Sequence, residues 1–170
     1  MEGGENMFYT GANKMIEFQE IPKALLTFFE KSKQYDAQCD IIIGTDSQNR
    51  RDTKIVSVIC MICQGHGGIF FYKMNHIPKI TNVKQKLQQE TSDSLLLASD
   101  LINLMEVNED YEEMYTSCPI SIHVDAGNSR KGKTKLLIPE LMGWINACGY
   151  EACTKPASFV ASTIADKLSK

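Results

Sequence analysis

The sequence contains no apolar run approaching the roughly 18 to 20 residues that would span a bilayer, so no transmembrane helix is expected. Its first residues, MEGGENMFYTGANK, show no basic start followed by an apolar core; no secretory signal is visible, and the expected compartment is the cytoplasm. Positive charge is not in excess. Lys and Arg number 18 against 21 Asp and Glu, a formal net charge of −3, which argues against a chain that coats nucleic acid through a uniformly basic surface. Internal repeats, low-complexity tracts and long Pro/Gly/Ser linkers are absent too, so the 170 residues read as a weakly structured segment over 1–20 and one domain over 21–170. The six cysteines do not form the framework of a small secreted scaffold. In a reducing compartment they are expected as free thiols, with Cys39, Cys60 and Cys118 acting as small hydrophobes in or beside strand-like runs.

What is present is an ordered succession of periodic segments. IPKALLTFFEKSKQY reads as an amphipathic helix with Pro22 in its first turn. CDIIIGTDS is a strand ending near Asp46, TKIVSVICMIC a second strand after the polar turn QNRRD, and IFFYKMNH a third after QGHGG. Turns this short favour an antiparallel meander. A long helix follows over about Thr81 to Val107, in which Glu90 lies along the stripe of Leu87, Thr91, Ser94, Ala98, Leu101 and Met105. PISIHVDA is a fourth strand whose alternation separates Ile120, Ile122 and Val124 from Ser121, His123 and Asp125. A Gly-rich turn, a helix over TKLLIPELMGWINACG, a short strand in YEACT and a closing helix over PASFVASTIADKLSK complete the order. The fold class is α/β: a mixed five-stranded sheet, β-β-β-α-β-α-β-α, with helices on both faces and an extra N-terminal helix.

Two strands, IIIGTD and ISIHVD, end in aspartate after apolar residues. If these strands are parallel neighbours, Asp46 and Asp125 meet at one edge of the sheet, where ligand crevices of open α/β sheets form. Carboxylates held close repel unless a cation or proton lies between them, and a divalent ion relieves the repulsion. Glu90 and Asp166, on flanking helices, would add further donors. Such an all-oxygen set suits Mg²⁺ or Mn²⁺ better than zinc, and two such ions would serve phosphodiester hydrolysis.

Other patterns compete. GNSRKGKT, Gly127 to Thr134, satisfies the phosphate-loop pattern between a strand and a helix, but only 36 residues follow it and the one later strand ends in no aspartate, so a P-loop-type nucleotide-binding protein is the weaker reading. Cys60, Cys63 and His66 have ligand-like spacing. On a strand, however, positions three apart face opposite ways, which leaves core packing for the cysteines and a hairpin turn for His66. His123 shares a side with Asp125 and either assists proton transfer or sits satisfied under a helix. Basic clusters at Arg50, Arg51 and Lys54 and at Arg130, Lys131, Lys133 and Lys135 follow the two aspartates and would meet a phosphate backbone, with Ser47 and Gln48 reading sugar or base edges or simply forming the turn.

The order of elements and the acidic positions resemble the ribonuclease H-like superfamily and, within it, the YkuK family. The residues that carry the resemblance are IGTDSQ at 43–48, IHVDAG at 122–127, GKTK at 132–135, GW at 143–144 and KPASFVASTIADK at 155–167. By position it implies a metal site of Asp46, Glu90, Asp125 and Asp166. It also implies a nuclease that uses Mg²⁺ or Mn²⁺, two ions in all, on RNA, DNA or a hybrid. The chain departs from hybrid nucleases of that superfamily in its extra first helix and in lacking an obvious basic protrusion. A rival expectation is therefore a non-catalytic nucleic-acid-binding or assembly module on the same fold.

Overall fold

The computed structural model describes residues 7–126, 133–154 and 163. Among the described residues, seven strands form one sheet in the order β2-β1-β5-β4-β3-β6-β7, numbered along the chain. At its centre stand three long strands, β3 (Cys39–Asn49), β4 (Thr53–Cys63) and β5 (Gly67–Ile77), paired antiparallel as the expected meander. Their tight connections rest on local chemistry. Gly65 and Gly67 take φ of 76° and 80° at the β4–β5 turn, a region where a side chain would be strained. β6 (Ile120–Val124) lies parallel to β3, and β7 (Glu151–Thr154) lies parallel to β6.

The sheet has two more strands than the sequence suggests. Residues 7–17, expected to be weakly structured, form a hairpin of β1 (Met7–Thr10) and β2 (Met15–Glu17) that adds to the edge of β5. Strands of four and three residues are too short for periodicity to reveal, and tertiary packing fixes them instead. Phe8 is fully buried against Phe18, with ring centroids 5.4 Å apart. The Tyr72 hydroxyl also donates to Asn13 Oδ1 in the hairpin turn at 2.8 Å.

Helix α1 (Ile21–Lys33) carries Pro22 in its first turn, and α2 (Val83–Glu106) is capped by Asn82, whose side-chain oxygen accepts from the Lys84 and Gln85 amides at 2.9 and 3.2 Å. A 3₁₀ turn and the short α3 (Glu112–Ser117) follow, and α4 (Lys133–Ala147) precedes β7 with Pro139 inside it.

Strand alternation divides the interior in two. Odd-numbered residues of the meander, among them Ile41, Ile43, Ile59, Met61 and Phe71, join Ile122 and Val124 of β6 and the inner faces of α1, α2, α3 and α4 in the main core. Even-numbered residues, namely Ile42, Val56, Val58, Cys60 and Tyr72, form a smaller core on the opposite face, to which no described helix contributes. Apart from Thr163, the closing helix expected over 156–170 lies outside the described residues. Each fully buried Ile or Leu contributes about 1.5–3 kcal/mol, so the larger cluster is the main source of stability.

The expectation of free cysteines needs one correction. Cys39 and Cys63 form a disulfide. They are direct partners in the β3–β4 register, with Cα atoms 4.0 Å apart, a juxtaposition that sequence separation conceals. Cys60, by contrast, is buried in the opposite core as a free thiol, and burial pushes it up to about 12. His66 occupies the β4–β5 turn, stacked on Tyr35 with centroids 4.2 Å apart. The metal-like spacing of Cys60, Cys63 and His66 is thus divided between two cores and a turn.

Candidate active site

The β3–β6 seam positions the two strand-borne aspartates. The parallel register runs from Ile41 opposite Ile120 to Gly44 opposite His123, and Asp46 and Asp125 each lie two residues beyond its last pair. Period-2 alternation places Asp46 on the even face of β3, Asp125 directly follows the last residue of β6, and both are half-buried. Strand β3 does not end near Asp46 but continues through Asn49, because Ser47, Gln48 and Asn49 keep pairing with Ile55, Lys54 and Thr53.

Glu90 reaches the same region from the other face. Helix α2 runs antiparallel to β3, and two contacts set its registry: Ser47 Oγ donates to Glu90 Oε1 at 2.5 Å, and Ser94 Oγ donates to Thr45 Oγ1 at 2.9 Å. Four helical residues rise about 6.0 Å and two strand residues about 6.6 Å, so the i,i+4 spacing of Glu90 and Ser94 matches the i,i+2 spacing of Ser47 and Thr45. Thr45 also donates to Ser57 at 3.2 Å, which extends the polar ladder into β4. Ser47 was a candidate for reading sugar or base edges. Its odd position turns it under α2 instead, where it is 4% exposed and committed to Glu90.

The electrostatics tie the three carboxylates together. Glu90 is 5% exposed, and its pKa is pushed up to about 8. Burial is the largest cause, the Ser47 hydrogen bond and Lys86 oppose it, and the charges of Asp46 and Asp125 raise it further. Asp46 and Asp125 therefore both act on Glu90, although Asp46 stands on the opposite face of β3 from Ser47, the partner of Glu90.

The remaining candidates are distributed less evenly. His123 is 5% exposed opposite Gly44, and burial lowers it to about 4, so it is neutral near pH 7. Gln48, Arg50 and Lys54 line a cleft at the β3–β4 hairpin, whereas Arg51 is exposed and does not line it. Lys135 is exposed on α4. Arg130, Lys131, Asp166, the side chain of Lys133 and most of the phosphate-loop match fall outside the described residues. Sequence reasoning missed the buried ladder of Thr45, Ser57 and Ser94. Its signal was a pair of small hydroxyls at period 2 on β3 facing Glu90 and Ser94 at period 4 on α2.

The carboxylates suit a hard divalent cation in kind: they are oxygen donors, the charges of Asp46 and Asp125 act against that of Glu90, and burial above all keeps a proton on Glu90 near neutral pH. Among the described residues no group of three or more His, Cys, Asp or Glu is gathered closely enough to hold such an ion. The fourth expected donor, Asp166, is not among them.

Comparison with known proteins bears on the fold family. The description "Ribonuclease H-like" matches residues 20–170. The chain is 29% identical to the "Uncharacterized protein YkuK" of Bacillus subtilis (strain 168) over 171 residues, 96% of this chain and 97% of that one. No solved structure matches. No helix among the described residues is long and apolar enough to cross a membrane. With its central parallel β3–β6 pair, its antiparallel meander and a match over nearly its whole length, the chain belongs to the ribonuclease H-like family.

Proposed function

We propose that this protein hydrolyses phosphodiester bonds of RNA or DNA with Mg²⁺ or Mn²⁺ at a site of Asp46, Glu90, Asp125 and Asp166. The observation that supports it is the electrostatic coupling of Glu90 to both Asp46 and Asp125 at the β3–β6 seam, within a ribonuclease H-like fold. A pair of divalent ions at such carboxylates supplies activation of water and stabilisation of the leaving oxygen. Asp46 and Asp125 would hold the metal, and Ser47 would keep the Glu90 carboxylate turned to the rim. His123, buried and neutral, takes a packing role beside Gly44 rather than a proton-transfer role.

The test is cleavage of RNA, DNA and hybrid substrates with Mn²⁺, comparing the parent protein with Asp46→Asn and Asp125→Asn. Loss of cleavage in both variants supports the proposal, and equal cleavage by all three proteins assigns the activity to a contaminant.

A second reading is a non-catalytic nucleic-acid-binding module. The burial of Glu90 and the lack of a gathered three-donor cluster among the described residues favour it. Salt-sensitive binding to nucleic acid with no metal-dependent cleavage would establish it.

A further inference from the structure

The cleft at the β3–β4 hairpin is built on the same sheet face as Asp46. Register places Gln48, Lys54 and His76 side by side across β3, β4 and β5, and Asp46, Val56 and Met74 form the next row. Gln48, Arg50, Asp52, Lys54, Met74 and His76 line a cavity of about 250 Å³. Two strand residues span about 6.8 Å, over which a nucleic-acid strand advances about two nucleotides along its axis. A strand lying over Asp46 and running along β3 therefore enters this cleft.

The hairpin turn stands at the end of the cleft away from Asp46, contributing Arg50 and Asp52 to its lining, and the turn is braced. The Arg50 amide donates to the Asp52 carbonyl at 2.9 Å, and the Asp52 carboxylate lies 2.8 Å from His76 Nδ1. Behind it, Thr53 Oγ1 donates to Asn49 Oδ1 at 2.7 Å and accepts from the Ile80 amide at 2.8 Å, while Asn49 Nδ2 donates to the Ile80 carbonyl at 2.8 Å. These bonds tie the hairpin to the segment that leads into α2. Arg50 and Lys54 line the same partly open cavity, whose size suits a single nucleotide-sized group rather than a duplex.

We infer that this cleft is a subsite for the phosphorylated end of a nucleic-acid strand, in which Arg50 and Lys54 bind a terminal phosphomonoester, Asp52 holds His76 beside it, and the turn bars a continuing backbone. The inference rests on the proposed nuclease reading only for laying the strand over Asp46, and binding itself needs no metal. A terminal phosphomonoester carries about −1.5 to −2 charges near pH 7, more than an internal phosphodiester, which matches the paired cations. The subsite makes the protein a reader of strand ends.

The experiment is fluorescence anisotropy in EDTA with single-stranded oligonucleotides carrying a 5′-phosphate, a 3′-phosphate or only hydroxyl ends, on the parent, Arg50→Ala, Lys54→Ala and Arg51→Ala proteins. One of the two phosphorylated ends is expected to bind about tenfold more tightly than the hydroxyl form. That preference should be lost in Arg50→Ala and Lys54→Ala and kept in Arg51→Ala, which removes the same charge from outside the cleft. Equal affinity for all three oligonucleotides, equal weakening by all three substitutions, or no binding at all would overturn the inference. Full displacement by an equimolar nucleoside monophosphate would assign the cleft to a free phosphomonoester and also overturn it. Parallel Mn²⁺ cleavage assays separate the two claims: an end preference without cleavage retains the subsite and removes the nuclease, and cleavage without an end preference does the reverse.

Discussion

Ser47 and Glu90, 43 positions apart in sequence, are joined by a buried hydrogen bond that fixes helix α2 against the central strand. The bond lowers the pKa of Glu90 while burial and the neighbouring aspartates raise it, so the carboxyl is balanced near neutrality. Removing the donor removes one of the two opposing influences. Ser47→Ala should therefore raise the Glu90 pKa further, and it should cost about 1–3 kcal/mol of stability above pH 8, where a buried carboxylate would lack its hydroxyl partner.

Metal-free protein should lose stability as pH rises through the range set by Glu90. Between the ordinary value of 4.5 and about 8 the folded state retains a proton that the unfolded state has released. Unfolding then releases protons, and the unfolding free energy falls with rising pH across that window, by up to roughly 5 kcal/mol. In Glu90→Gln, denaturant titrations in EDTA should show this decline removed. A decline of the same size in the variant would mean that another group causes it.

His123 should contribute the opposite slope at acid pH. Its folded value of about 4 lies below the ordinary value of 6.5, so between these the unfolded state binds the extra proton and stability falls as pH falls. About 3 kcal/mol is at stake by pH 4. His123→Phe should flatten this acid limb if packing at Gly44 is preserved, and chemical denaturation at pH 4, 5 and 6.5 measures it.

Thr91 stands next to Glu90 with its hydroxyl buried and, among the described residues, without a hydrogen-bond partner. Thr91→Val keeps the shape and removes the unsatisfied group. The expected result is a gain of up to about 1 kcal/mol in unfolding free energy, readable as a shift in the denaturant midpoint.

Much of this architecture is legible in the sequence because its signals are long and periodic. The eleven-residue strands β3 and β4, the 24-residue α2 and the two aspartates after apolar runs each carry a pattern that local physics fixes. The hairpin of Met7–Thr10 and Met15–Glu17 is not legible, since its strands are too short for periodicity and depend on Phe8 reaching Phe18. The Cys39–Cys63 pairing was hidden for a related reason: it depends on register, which only the paired strands define. At the site, the apolar runs that precede Asp46 and Asp125 mark the two strands whose parallel pairing leads toward them. The turning of Ser47 toward Glu90 needed the antiparallel helix as well. Residue type alone marks Ser47 as a turn residue or a substrate contact.

The most direct measurement is Mn²⁺ binding followed by electron paramagnetic resonance on the parent, Asp46→Asn, Asp125→Asn and Glu90→Gln proteins, because it reports the shared ion without requiring the correct substrate. The account predicts saturable binding in the parent, weakened at least about tenfold by either aspartate substitution and tightening as pH rises through 8, where Glu90 gives up its proton. Binding of equal strength in the parent and both aspartate variants, or none in the parent, would contradict it.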